Sequence, residues 1–333
     1  MQAWQVTELG EPKDVLTQVD VEHPRIHGAQ LLVRTLAAAA NFPDVLMCRG
    51  MYQVRPPLPF TPGVEGCFEV VEVGPSVTDW SAGDRVIGGT VLPHGAFAEY
   101  AVLDSAGTFA APLSLTHEEA SALYIGYQTG WFALHRRAQI REGETLLIHA
   151  AAGGVGSAAI QLGKAAGARV IGVVGGPDKA AYAKALGADV VIDRRSEDFV
   201  EVVKEVTHGR GADVIFDPVG GETYQRSTKC IAFEGRILVI GFAGGEIQQA
   251  ALNHALMKNY SIMGLHWGLY AHQDPAAVRT CHDELTRLAD KGIVKPLIGE
   301  VHGLGEVPTG LQALADGRTV GRVVFSPAAS NLA

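Results

Sequence analysis

The sequence predicts an α/β chain in two parts: a doubly wound, six-stranded parallel sheet and a smaller, mainly β domain folded as a partly open barrel. Three observations predict it. Residues 1 to about 120 are short apolar runs broken by Gly and Pro. From Thr116 onward, apolar strands alternate with helix-length segments. A glycine-rich turn joins the first strand and helix of that alternation. With 333 residues, the chain has room for two domains, which usually run about 100–200 residues each. The final strand, Arg322–Phe325, is expected to return to the β part, so the division is 1–121 with 267–333 against 122–266.

The β part has its clearest strands at Leu31–Leu36, Cys67–Val73, Arg85–Gly88 and Phe97–Val102. Turn signals at Glu65-Gly66, Gly74-Pro75, Ala82-Gly83-Asp84 and His94-Gly95 separate them. Thr116-His117-Glu118-Glu119 has the form of a capping box and opens an alanine-rich helix that continues through Ala122–Leu134. The alternation that follows has strands at Leu146–Ile148, Arg169–Val174, Val190–Ile192, Val214–Phe216, Ile237–Ile240 and Tyr260–Leu265. Helices at Ser157–Ala166, Ala180–Leu186, Glu197–Thr207 and Glu222–Ile231 lie between them. The tail, from about Gly268, has helices at Pro275–Lys291 and Gly305–Gly317.

The chemistry concentrates in Glu144–Lys179. After the strand at Leu146–Ile148 comes Ala151-Ala152-Gly153-Gly154-Val155-Gly156, a G-x-G-x-x-G turn with Ala151 in place of the first glycine. Gly153 lets the backbone approach a pyrophosphate closely, and Gly156 lets the helix pack tightly on the strand. The helix start then offers free N–H groups to phosphate. An NAD-preferring site carries Asp or Glu at the tip of the second strand, for the ribose 2′-hydroxyl. Here the tip is Val173-Val174-Gly175-Gly176, and Lys179 follows. Lys179 either meets a 2′-phosphate as a point charge or is a solvated residue of the next helix. The missing acid favours NADPH.

In a sheet of this kind ligands sit at the carboxyl ends of the strands. The loops there include Gly175–Lys179, Asp193-Arg194-Arg195, Asp217-Pro218-Val219-Gly220-Gly221, Gly241-Phe242-Ala243-Gly244 and Gly264-Leu265-His266-Trp267. A net charge of −9 argues against nucleic acid or an anionic membrane as the main partner. The N-terminus has no signal-peptide pattern, no apolar stretch is long enough to span a membrane, and the four separated cysteines fit a reducing cytoplasm.

Five further segments belong with the glycine turn: Asn41-Phe42-Pro43-Asp44, Gly50-Met51-Tyr52, Pro62-Gly63-Val64-Glu65-Gly66, Gly83-Asp84-Arg85-Val86 and Asp217–Gly221. With this order of domains, the chain resembles a medium-chain dehydrogenase/reductase over nearly its full length. Within that superfamily it is similar to the NADPH:quinone oxidoreductase (zeta-crystallin-like) branch. The resemblance implies a GroES-like catalytic domain and a Rossmann domain for NADPH. It also implies zinc independence. The catalytic metal cysteine of the zinc alcohol dehydrogenases falls where Asn41 stands, and their histidine falls at Val64, which has no donor atom. His282, beside Cys281 and Asp283, reads as solvated helix surface.

The resemblance places Asn41, Tyr52, Thr129 and Gly241-Phe242-Ala243 around the nicotinamide half, and Lys179, Arg194 and Arg318 near the 2′-phosphate. The branch often has an aromatic residue at position 194 and a hydroxyl residue near Gly176. Arg194 suits a phosphate by bidentate contact, or is, like Arg318, a solvated charge. His266 and Trp267 are expected to close the site, unless Trp267 is interface core. Similar enoyl-thioester reductases use a tyrosine in the G-x-Y setting as proton donor, which makes Tyr52 the candidate acid. Its alternative is packing against Pro56–Pro59. Asn41 is expected to orient the substrate carbonyl or the nicotinamide ribose.

The expected activity is NADPH-dependent, zinc-free hydride transfer to a quinone or enone, in a cytoplasmic homodimer. The rivals are an enoyl-thioester or 2-alkenal reductase on the same fold, and a non-catalytic nucleotide- or RNA-binding protein.

Overall fold

A computed structural model describes residues 1–327. The chain divides into two compact units, Met1–Ile125 with the segment from Lys295 onward, and Gly126–Val294.

In the first unit, β1 (Gln2–Val6) and β2 (Leu16–Asp20) form an antiparallel pair. Next come β3 (Gln30–Ala39), β4 (Glu65–Val73), β5 (Arg85–Thr90) and β6 (Tyr100–Ala110). β3 pairs with both β4 and β6, so these strands close into a small antiparallel barrel. β3 runs past the expected Leu36 into Ala37, Ala38 and Ala39. Alanine has little preference for strands, but all three side chains are fully buried. Tertiary packing decides that end. Phe68, Phe97, Leu103, Val86 and Phe325 fill the interior. The capping box forms as expected: Glu119 N donates to Thr116 Oγ1 (3.2 Å) and Thr116 N to Glu119 Oε2 (3.1 Å).

The second unit holds β7 (Thr145–Ile148), β8 (Arg169–Val174), β9 (Val190–Asp193), β10 (Ala212–Asp217), β11 (Ile231–Val239) and β12 (Ser261–Gly264). All pair in parallel, in the order β12-β11-β10-β7-β8-β9. The winding reverses between β7 and β10, and ligands bind in α/β sheets at the carboxyl ends of such a pair. The helix expected to reach Ile231 stops at Ser227, where Cys230 N turns back to Ser227 O (3.1 Å) and Ile231 opens β11.

The chain then returns to the first unit with β13 (Ile298–His302) and β14 (Arg322–Phe325); the final strand rejoins the β part as expected, where β14 pairs with β3. It rejoins that unit at Lys295 and not near residue 267. The helix Pro275–Asp290 is held in the second unit. Trp131 Nε1 donates to Glu284 (2.9 Å), Arg136 pairs with Asp274 (3.1 Å), and the Tyr270 ring lies 4.2 Å from that of Phe132. His282 and Cys281 sit on the packed side of this helix and are buried, not solvated. The end of the expected catalytic segment, 328–333, lies outside the described residues. No described helix is long and apolar enough to cross a membrane.

Candidate cofactor and substrate site

β7 delivers the chain to the glycine turn of the second unit. Ala150 takes φ +50, the left-handed conformation that costs an L residue roughly 1–2 kcal/mol. Ala151 has ordinary backbone geometry, so no glycine is required there. Its methyl group occupies the space left by Gly172 on β8, where a Cβ would come within 3.0 Å of it. Gly153 caps the helix Gly154–Ala165, and a Cβ on Gly156 would overlap the Ala150 carbonyl. Only glycine lets the first helical turn sit that close to the strand end. The first intrahelical bond is Ser157 N to Gly153 O (2.8 Å), so the N–H groups of Gly154, Val155 and Gly156 point out of the helix start.

Behind the turn, His149 is buried and its Nε2 lies 2.8 Å from Ser227 Oγ. The Ser227 hydroxyl donates to Thr223 O (2.8 Å), so the imidazole is the Nε2–H tautomer and donates to the serine. Burial, then the positive charge of Arg226, pushes its pKa down to about 3.

The tip of β8 carries no acid. Gly175 and Gly176 are covered by arginine side chains: a Cβ on Gly175 would lie 3.3 Å from Arg194 Nε, and one on Gly176 2.7 Å from Arg195 Nη1. Asp193 Oδ1 fixes this corner by accepting from Gly176 N (2.9 Å) and Arg195 N (3.0 Å). Lys179 stands in the first turn of the helix Pro177–Ala185. Its pKa is held down by burial, then by Arg194 and Arg195, which places three cations at one corner.

The ends of β10 and β11 are sewn together. Asp217 Oδ1 accepts from Val219 N (2.9 Å) and Gly220 N (3.0 Å). Ala243 N donates to Pro218 O (3.0 Å) and Gly244 N to Val219 O (2.9 Å), so the Gly241–Ala243 loop lies against Val219. Phe242 is 38% exposed, which leaves its ring open to a ligand. Beyond β12, His266 is exposed, while Trp267 Nε1 donates to Gln128 Oε1 (3.1 Å) beside the buried Thr129. Trp267 is therefore tied to the second unit's own helix.

In the first unit, Asn41 precedes the helix Phe42–Cys48 and its side chain points inward. Nδ2 donates to Glu65 Oε1 (2.9 Å) and Ala39 O (3.1 Å), and Oδ1 accepts from Arg322 Nη2 (3.0 Å). Arg322 also pairs with Glu65, and both are buried. Asp44 accepts from the backbone N–H groups of Asn41 (2.8 Å), Gly63 (2.9 Å) and Val64 (3.2 Å). Burial nevertheless pushes its carboxyl up to about 7. Tyr52 packs on the core of this unit, and its hydroxyl bonds to no described residue. Burial, then Asp44, raises its pKa, so the phenol keeps its proton. Arg318 also belongs to this unit, exposed and paired with Asp316 (2.8 Å).

Sequence reasoning includes Arg195 only as a loop residue and Glu65 only as a motif residue, and gives none of Arg195, Glu65 and Arg322 a role. Each left a signal: a second arginine in the β9 loop, and single charges inside the apolar runs Val64–Phe68 and Arg322–Phe325. No described group of His, Cys, Asp and Glu is arranged to hold a metal ion.

Residues 27–113 match the alcohol dehydrogenase GroES-like domain, and residues 154–283 the zinc-binding dehydrogenase family. A quinone oxidoreductase-like protein 2 homolog from Nematostella vectensis is 38% identical over 321 residues, covering 96% of this chain and 87% of that protein. Among solved structures, a quinone oxidoreductase from Pseudomonas syringae is 35% identical with a TM-score of 0.90, covering 98% of this chain and 99% of that one. The Escherichia coli quinone oxidoreductase complexed with NADPH is 29% identical with a TM-score of 0.91, covering 98% of this chain and 100% of that one. The chain belongs to the medium-chain dehydrogenase/reductases, in their quinone oxidoreductase branch.

Proposed function

We propose that this protein is an NADPH-dependent reductase of quinones and similar conjugated carbonyl acceptors. One observation carries the cofactor: the β8 tip lacks an acid and gathers Lys179, Arg194 and Arg195, the environment a 2′-phosphate dianion needs and a bare ribose does not. The open helix start at Gly154–Gly156 suits the pyrophosphate. The acceptor class rests on the relatives named for quinone reduction.

NADPH, when bound, supplies the hydride. Reducing a quinone to the hydroquinone takes that hydride and a proton. Tyr52 is the proposed donor to the developing oxyanion, since its phenol is protonated and its hydroxyl bonds to no described residue. Thr129, Val219, the Gly241–Ala243 loop and His266 are proposed to border the nicotinamide end. Arg318 is proposed, on family resemblance alone, as a further ligand of the 2′-phosphate. No metal enters this scheme, because Val64 has no donor atom and the Asn41 amide is engaged within the protein.

A homodimer in the cytoplasm completes the reading. The helix Leu252–Lys258 buries none of its residues, and Leu252, Leu256 and Met257 are 74%, 78% and 76% exposed in the unit whose sheet ends at the edge strand β12. A second copy is the proposed cover.

The test is steady-state NADPH oxidation with a quinone series and with crotonyl-CoA. The expected result is higher kcat/KM for quinones; preference for the thioester would replace this reading with an enoyl reductase. Tight NADPH binding without turnover of any acceptor would point to a non-catalytic role.

A further inference from the structure

We infer that Glu65 and Arg322 are positioning residues that make the Asn41 side chain a hydrogen-bond acceptor only. This rests on the proposed function and on the family resemblance that assigns Asn41 to the nicotinamide half.

A primary amide has two N–H donors and two acceptor lone pairs. Both Asn41 donors are engaged, one by Ala39 O and one by Glu65 Oε1. One lone pair of Oδ1 is engaged by Arg322 Nη2. A single lone pair is left. The orientation of the amide is dictated by its neighbours, since a carboxylate and a carbonyl only accept and a guanidinium only donates. Turning the amide over would set N–H against N–H and oxygen against oxygen in a site where Asn41, Glu65 and Arg322 are 5%, 0% and 5% exposed.

Two observations show that this arrangement displaces ordinary preferences. An asparagine before a helix usually caps it with its side-chain oxygen. The Asn41 side chain makes no such bond, and the helix start is held by Asp44. Arg322 also buries an Nε–H that bonds to no described residue. A dry ion pair with an unsatisfied donor is a poor source of stability compared with apolar residues of the same size. What it provides is a fixed amide.

The consequence is chemical. Asn41 cannot polarise a quinone carbonyl, which would need a donor. A ligand can meet it only with an O–H or N–H, which the ribose and the carboxamide of a nicotinamide cofactor both carry. Polarising the acceptor falls to Tyr52.

The test uses the full chain and measures NADPH binding by fluorescence titration, independent of turnover. The double substitution Glu65→Gln with Arg322→Met removes both charges together, which avoids leaving one buried alone, and it frees the amide to turn. It is expected to raise the NADPH Kd about tenfold, the scale of one hydrogen bond, while kcat at saturating NADPH falls less. Arg322→Lys, which keeps a donor, is expected to restore most of the affinity. Asn41→Ala should weaken binding as much as the double variant. A folded double variant with unchanged Kd, beside a weakened Asn41→Ala, overturns the inference and leaves the functional reading standing. Failure of the wild-type chain to bind NADPH overturns both.

Discussion

Lys179 shows how far a single residue can be read. Its place after an acid-free strand tip is visible in the sequence, but the arginines that crowd it are not, because their side chains reach it from the end of another strand. Lys179→Ala is expected to raise the KM for NADPH about tenfold while the KM for NADH stays within about twofold, as for loss of one charge-assisted contact to phosphate. Equal effects on both cofactors, in paired steady-state titrations, would remove the phosphate role. Tyr52 stood out as a candidate acid only through its G-x-Y setting. Tyr52→Phe is expected to lower kcat with quinones about 10²-fold without moving the KM for NADPH. An unchanged kcat leaves Tyr52 as packing. Asn41 was legible as a candidate, but the bonds of its side chain were not. The partners that fix its amide come from β4 and β14, and no local pattern announces them.

At the scale of elements, strand positions were legible wherever burial on both faces gives a continuous apolar run, as in β8 and β14. The alanines of β3 were not, since alanine has little preference for strands and packing decides them; the helix Leu252–Lys258 was not, because it is one short segment with no buried stripe, although Leu, Ala, Met and Lys favour helix. His149, at the end of β7, adds a pH dependence that sequence alone does not show. Its pKa falls from 6.5 to about 3 in the folded protein. Below about pH 6.5 the unfolded chain therefore takes up a proton that the native state refuses, so stability is full above that pH and declines as pH falls towards 3, by up to about 1.4 kcal/mol per unit. Urea midpoints at several pH values should show this slope in the wild type. His149→Gln is expected to flatten it, and an unaltered slope would place the acid sensitivity elsewhere.

For the whole molecule, the order of the domains and the winding of the second sheet followed from the alternation of strands and helices. The point of return did not. The chain rejoins the first unit only at Lys295, because an amphipathic helix shows which face is apolar but not which unit receives it. The apolar face of Leu252–Lys258 has the reverse property, since none of its residues is buried within the chain. Leu256→Asp is expected to convert a dimer into a monomer, read by size-exclusion chromatography with light scattering, with little loss of unfolding free energy per chain. A wild-type protein that elutes as a monomer at micromolar concentration would reject the dimer.

The contact between Ala151 and Gly172 bears on how such sites are recognised at all. The first position of the phosphate-binding fingerprint and the middle of the neighbouring strand share one methyl-sized volume, and this chain has put the carbon on the turn and the hydrogen on the strand. A search that demands glycine at the first position scores Ala151 as a defect. A search that treats the two sites as a coupled pair, one small residue facing one glycine in either order, scores it as a match. The exchange also sets a rule for redesign. Adding a side chain at Gly172 alone drives two carbons together, whereas Ala151→Gly with Gly172→Ala hands the same volume back across the interface.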